Sequence, residues 1–276
     1  MEFKVPLFAI ISTACWGSSF TIIKIGLKNS SPIFFAFLRY LIAGLFFSFI
    51  ALLYRKKFLF DFKNFLLIGI ISISIPIILQ NIALKYTSAY ISGFIQSTGP
   101  IYTLIFASIF LNEKMAFNKI LGILIAFIGT YLIVSPKSGG NFYGNLLVGI
   151  SAIFYSIGSI MAKKLINHGY KALNIVTYST LIGALFLFPP TIFENVRFNQ
   201  STLIYAFILA LFPTFIAYIL WYESMKEIEI SKLSCYVYLI PFFSTIFSYA
   251  LIHEEIKITT ILYGIIIITG IAIAEA

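Results

Sequence analysis

Apolar residues run along this chain in long unbroken blocks rather than in alternation. Ten such blocks occupy approximately 5–27, 33–54, 64–84, 90–112, 117–135, 142–165, 172–193, 201–225, 231–252 and 258–276. Each is close to the roughly 20 residues a helix needs to cross the hydrocarbon core of a bilayer. Segments such as Phe65-Leu66-Leu67-Ile68-Gly69-Ile70-Ile71 lack the period-two pattern of a membrane β-barrel strand. The polar residues between blocks make short loops that leave no room for a soluble domain. The pattern therefore predicts an all-α integral membrane protein with ten transmembrane helices. A cleaved leader in place of the first helix is disfavoured: Lys4 is the lone basic residue ahead of the block, and Trp16-Gly17-Ser18-Ser19 is a poor cleavage site.

Composition agrees with that pattern. Of 276 residues, 60% are hydrophobic, 18% aromatic and only 11% charged, against about 25% charged in a soluble domain. So few charges exclude a soluble enzyme, a nucleic-acid binder and a secreted disulfide scaffold. The net charge of +9 is read as loop charge that orients the chain. With the N-terminus inside, the inner segments hold 12 Lys and Arg and the outer segments 6, the cluster Arg55, Lys56, Lys57 and Lys63 dominating. Both termini are expected in the cytoplasm, with the chain in the cell membrane. Cys15 and Cys235 fall within apolar blocks and read as small core residues. His168 and His253 have no partner at metal-ligand spacing. No metal and no cofactor is expected.

The chain also matches itself. At an offset of 141, Lys85 meets Lys226, Pro100 meets Pro241, Glu113 meets Glu254 and Gly129 meets Gly270. The second block matches the seventh at 140, and the first matches the sixth at 139, where Ser12 meets Ser151 and Lys24 meets Lys163. Two units, 1–138 and 139–276, would each hold five spans. An odd number makes the second unit enter the membrane from the opposite side. Such inverted repeats mark secondary transporters, with the solute site near the midplane between the repeats.

The stretch Trp16-Gly17-Ser18-Ser19-Phe20 ending in Lys24, and Phe37-Leu38-Arg39-Tyr40-Leu41 followed by Ala43-Gly44-Leu45, also form a known pattern. More specific is Ala83-Leu84-Lys85-Tyr86-Thr87-Ser88-Ala89 continuing through Pro100 to Glu113 and Gly122, echoed from Tyr222 through Pro241 to Glu254 and Gly264. In order and duplication these segments resemble the EamA family of the drug/metabolite transporter superfamily, over essentially the whole chain. The resemblance implies ten transmembrane helices with cytoplasmic termini and export of small metabolites, commonly amino acids or related compounds, driven by an ion gradient. It does not identify the solute.

Candidate solute-binding residues come from polar and aromatic side chains on shared helical faces, which in a bilayer point at protein or at a water-filled cavity. Ser12, Trp16 and Ser19 share one face of the first helix, and Tyr155 stands where Trp16 does in the repeat. Gln80 and Asn81 carry amides that are costly in hydrocarbon without a partner, and Tyr218, Trp221 and Tyr222 lie at the matching place in the eighth helix. Gln96, Ser97 and Tyr238 neighbour the paired prolines Pro100 and Pro241, which are candidate hinges because a proline breaks the backbone ladder. Arg39 is a candidate for a solute carboxylate, with a structural reading beside it in which the side chain snorkels or binds carbonyls. Glu223 is the candidate proton-coupling acid, with a salt bridge to Lys226 as its structural alternative. Glu113 and Glu254 border short turns and read as helix caps.

The sequence thus points to a secondary transporter exporting small metabolites by alternating access and coupled to protons, amino acids being the leading solutes. A cation-drug antiporter would want an acid deep in the first or sixth helix, where none stands. A membrane enzyme would want clustered acids or histidines, and His253-Glu254-Glu255 lacks the H-E-x-x-H spacing. The expected partners are a small-molecule substrate and the lipid bilayer, with no nucleic acid, in a monomer or a homodimer.

Overall fold

A computed structural model describes residues 4–53, 61–133, 142–253 and 258–275. Arg55, Lys56, Lys57, Lys137, the junction at 138/139, Glu254 and Lys257 lie outside the described residues. The described chain is helical, with no strand among the described residues. In order, α1 is Lys4–Gly26, α2 is Pro32–Leu53, α3 is Phe62–Ala83 and α4 is Ala89–Phe110. Next come α5 (Phe117–Ile133), α6 (Phe142–Asn167), α7 (Ala172–Phe193), α8 (Gln200–Glu227), α9 (Ile230–Ile252) and α10 (Ile258–Glu275). Among the described residues, α1 to α4 and α6 to α9 are long and apolar enough to cross a membrane, and α5 holds a shorter apolar stretch. The chain is a multi-pass membrane protein.

A helix end has backbone groups without intrahelical partners, which is expensive near a bilayer. Here polar and charged side chains of loops and neighbouring helices take them up. The Glu194 carboxylate accepts from the Ile33 and Phe34 amides at the start of α2. Glu113 does the same for the Ile230 and Ser231 amides at the start of α9. Asp61 caps α3 through the Asn64 amide, and Asn199 and Thr202 form a reciprocal capping box on α8. At the other polarity, the Lys24 ammonium donates to the Thr87 carbonyl beyond α3, and the Lys163 ammonium to the Met225 and Ile228 carbonyls at the end of α8.

Four of the helices are irregular within their length, and α7 ends in a 3-10 segment, Pro189–Phe193. α3 carries a π-helical turn at Gly69–Ser74 and α8 one at Ala210–Ile216. α4 breaks at Ser97–Thr98 and restarts at Gly99, whereas α9 passes through a 3-10 segment, Cys235–Leu239, and restarts at Ile240. Asn112 and His253, just past α4 and α9, are both left-handed, with φ 55° and 57°. The π-turn, the break and the left-handed residue each recur 141 residues on.

Packing joins α2 to α7, α1 to α8 and α9, and α6 to α3 and α4, while α5 lies against α10. Small residues set the closest approaches, as membrane helix contacts require. Gly122 and Ala126 of α5 meet Gly270 and Ala274 of α10 so closely that a Cβ on either glycine would lie 2.5 Å from the partner backbone.

Candidate solute cavity

The irregular helices surround one cavity lined by residues of α1, α2, α3, α4, α6, α8 and α9. It gives about 120 Å³ to the centres of water-sized molecules, several times what one water needs. A π-turn leaves carbonyls without their usual partners, and the local sequence supplies replacements. The Ser74 hydroxyl donates to the Gly69 carbonyl at 3.1 Å, and the Thr214 hydroxyl donates to Leu209 at 2.9 Å, each five residues back. Pro213 lies inside the second π-turn, and its carbonyl accepts the Trp16 indole N–H at 3.0 Å. That hydrogen bond fixes the indole of α1 against α8.

One wall is aromatic. Trp16 lies 4.8 Å from Trp221 and 6.2 Å, edge-on, from Tyr218, whose ring is 6.4 Å from Tyr222. The Tyr218 and Tyr40 hydroxyls are 2.9 Å apart. Tyr155 faces the same space from α6. Another part of the lining is amide: Gln80 with Gln96, whose Oε1 accepts from the Ser151 hydroxyl at 3.1 Å and lies 3.5 Å from the Gln80 amide nitrogen.

Arg39 supplies the charge. It lies in α2 and is 4% exposed, and its Nε donates to the Thr214 hydroxyl at 2.7 Å. Its Nη1 is buried without a hydrogen-bond partner. No aspartate, glutamate or histidine lines the cavity among the described residues.

Of the side chains singled out in the sequence, the structure brings Trp16, Ser19, Arg39, Gln80, Gln96, Pro100, Tyr155, Tyr218, Trp221 and Tyr222 to the cavity. Asn81, Ser97, Tyr238, Pro241 and Glu223 are not in its lining. Asn81 is turned back onto its own helix, donating to the Ile77 carbonyl at 2.9 Å. The Ser97 hydroxyl donates to Gly93 and, at 3.2 Å, to Val237, bridging the break in α4 to the irregular stretch of α9. Tyr238 is buried among core side chains. The prolines stand in the first turn of the restarted helices, where a missing N–H costs nothing, so the irregularity lies before each proline rather than at it. Glu223 is partly exposed and sits 2.6 Å from the Lys226 ammonium.

The cavity also takes in Ser72, Thr103, Ser156 and Ser159, with Thr214 behind Arg39. Thr103 follows Gln96 and Pro100 at helical spacing, a signal present in the sequence. Thr214 stands four and seven residues before Tyr218 and Trp221, the same helical spacing, although its contact with Arg39 is shown only by the structure.

The model of the EamA-like transporter family matches the chain twice, over residues 4–135 and 142–275. An uncharacterized transporter of Archaeoglobus fulgidus is 29% identical over 265 residues, 95% of each chain. The uncharacterized transporter YvbV of Bacillus subtilis is 25% identical over 99% of this chain and 92% of its own. A protein of known crystal structure shares the fold, with a TM-score of 0.83 over 98% of this chain and 96% of its own, at 18% identity.

Proposed function

We propose that this chain, which belongs to the EamA-like transporter family and is a membrane transporter, exports small metabolites from the cell by alternating access around the aromatic cavity. Amino acids and related compounds are the class in view, with the proton gradient as driving force. The observation that carries the reading is a polar and aromatic cavity inside the bundle, walled by helices of both matched segments. A solute would leave water for a site of aromatic faces and amides, closed by movement of one half against the other.

The proposed architecture is ten transmembrane helices in two inverted five-helix units, 1–138 and 139–276, with both termini in the cytoplasm. The double family match supports it, as do the features that recur 141 residues apart: the π-turns, the breaks before Pro100 and Pro241, and the left-handed residues 112 and 253. The lysine caps agree too, since Lys24 on Thr87 and Lys163 on Ile228 occupy matching places. The breaks in α4 and α9, clasped by Ser97 on Val237, are the proposed hinge.

A cation-drug antiporter fits less well, because no carboxylate lines the cavity among the described residues. The test is counterflow in proteoliposomes against a panel of amino acids and nucleobases, with and without a pH gradient. Saturable exchange of a solute supports the reading, and exchange no faster than in protein-free liposomes refutes it. Glu223→Gln tests the coupling: lost pH-gradient dependence gives Glu223 the proton, and unchanged dependence leaves it to its ion pair with Lys226.

A further inference from the structure

The charge inventory of the cavity narrows the solute. A buried guanidinium without a counter-charge is costly to keep out of water, so a negative group entering the site would be favoured. Arg39 is buried, and its Nε is spent on Thr214. The Thr214 hydroxyl in turn donates to Leu209, so its geometry is fixed from both sides. The guanidinium carbon lies 5.2 Å from the centroid of the Tyr40 ring, and Nη1 has no hydrogen-bond partner. A guanidinium end of that kind matches the two oxygens of a carboxylate. The Tyr40 hydroxyl is hydrogen-bonded to the hydroxyls of Tyr218 and Tyr155, which joins both cavity tyrosines to α2 beside Arg39.

The ion pairs among the described residues lie elsewhere: Lys119 with Glu229, and Lys226 with Glu223. Lys163, near the Met225–Ile230 end of the cavity, is held by backbone carbonyls. Among the described residues, nothing in the lining offers an ammonium group a formal negative charge. What the lining offers a cation is neutral: amide oxygens of Gln80 and Gln96, hydroxyls, and ring faces that attract a cation only weakly.

We propose that the cavity selects solutes of net negative charge: organic monocarboxylates with an apolar or aromatic body, the carboxylate on Arg39 and the body between the packed Trp16–Trp221 pair and Tyr155. A monoanion brings the site to neutrality. A zwitterionic amino acid leaves it one charge positive, and an amine leaves it two. This rests on the transporter reading above and sharpens it, moving the preference from amino acids to their carboxylate relatives.

The experiment uses purified full-length protein in detergent and two matched triads. One is 3-phenylpropionate, phenylalanine and phenethylamine; the other is 4-methylpentanoate, leucine and isopentylamine. Binding is read by calorimetric titration, and exchange by counterflow corrected with protein-free liposomes. In each triad the carboxylate is expected to bind at least tenfold more tightly than the amino acid, with the amine weaker still. Arg39→Gln should erase the order. Arg39→Lys should weaken carboxylate binding, and Thr214→Val, which releases the guanidinium but keeps the charge, should weaken it less than Arg39→Gln. The variants must elute and melt like folded protein, and Thr214→Val keeps the test decisive if Arg39→Gln does not fold.

Equal or reversed order within the triads, or an order untouched by both Arg39 variants and Thr214→Val, overturns the charge assignment while the transporter reading stands. Chloride that binds at Arg39 and is not displaced by any carboxylate assigns the guanidinium to an inorganic anion and also overturns it. Failure of every solute in both triads and in the counterflow panel removes the transporter reading itself, and this inference with it.

Discussion

Gly158 of α6 meets the π-turn of α3 more closely than any side chain would permit. A Cβ there would lie 2.3 Å from the Ser72 Cβ, 2.5 Å from its Oγ and 2.8 Å from its Cα. Ordinary carbon contacts begin at about 3.5 Å, so Gly158→Ala must part the two helices by roughly 1 Å. The Ser72 Cα is among the obstructing atoms, so a change of rotamer cannot relieve the clash. Overpacking of this kind costs about 1–3 kcal/mol. Gly149 of the same helix is the matched control: its Cβ would lie 3.8 Å from Ile95, an ordinary contact. Alanine there should gain about 0.4–1 kcal/mol from the stiffer unfolded chain. Thermal melting in detergent should place Gly149→Ala at or above the parent and Gly158→Ala several degrees below it, with solute exchange reduced because Ser72 lines the cavity. Equal melting of the two variants would refute the close approach of α6 to the π-turn.

Two further outcomes follow from the loop caps. Glu113→Gln keeps an acceptor but removes the charge at the start of α9, at a cost of about 0.3–1 kcal/mol, and Glu113→Ala should cost more; melting of the two variants reads the difference, and an unchanged alanine variant would contradict the cap. At Asp61, hydrogen bonds from Asn64 and then from Tyr170 hold the carboxyl below the ordinary carboxylate range. A depressed folded pKa stabilises the native state above the ordinary value of about 3.9 and loses that contribution as pH falls through the folded value. Proteolytic protection of the Tyr170 loop should therefore drop on acidification, whereas in Asp61→Asn it should be weak at every pH.

Much of the helical layout was legible because apolar blocks of membrane length have few alternatives. Observed helices begin and end within a few residues of the blocks, as in α1 at Lys4–Gly26 and α2 at Pro32–Leu53. Trp16, Tyr155, Tyr218 and Trp221 were readable as one group because helical spacing and the internal offset both selected them. The limits of that reading lie in how the helices depart from regularity and in which face each residue takes. A helical wheel assumes a constant turn, and the π-turns at Gly69–Ser74 and Ala210–Ile216 insert an extra residue, so every face beyond them rotates. Asn81 stands about 100° round the helix from Gln80 and folds onto Ile77 while Gln80 faces the cavity, and the Thr214 hydroxyl, inside the second π-turn, donates to the Leu209 carbonyl five residues back as it meets Arg39. The breaks before Pro100 and Pro241 act likewise on Ser97 and Tyr238. Whether Arg39 has a protein partner was beyond the sequence, because that depends on which helix faces α2.

The central claim is that solute binds in this cavity, and the chain holds only two tryptophans, Trp16 and Trp221, both in its lining. Tryptophan-selective fluorescence of the purified protein is therefore a direct probe. The account predicts that any solute exchanged in counterflow changes the emission saturably, with a midpoint matching its half-saturation for exchange. Trp16→Phe and Trp221→Phe should each keep part of the signal. An exchanged solute that leaves the emission of both tryptophans unchanged would place its site elsewhere and contradict the account.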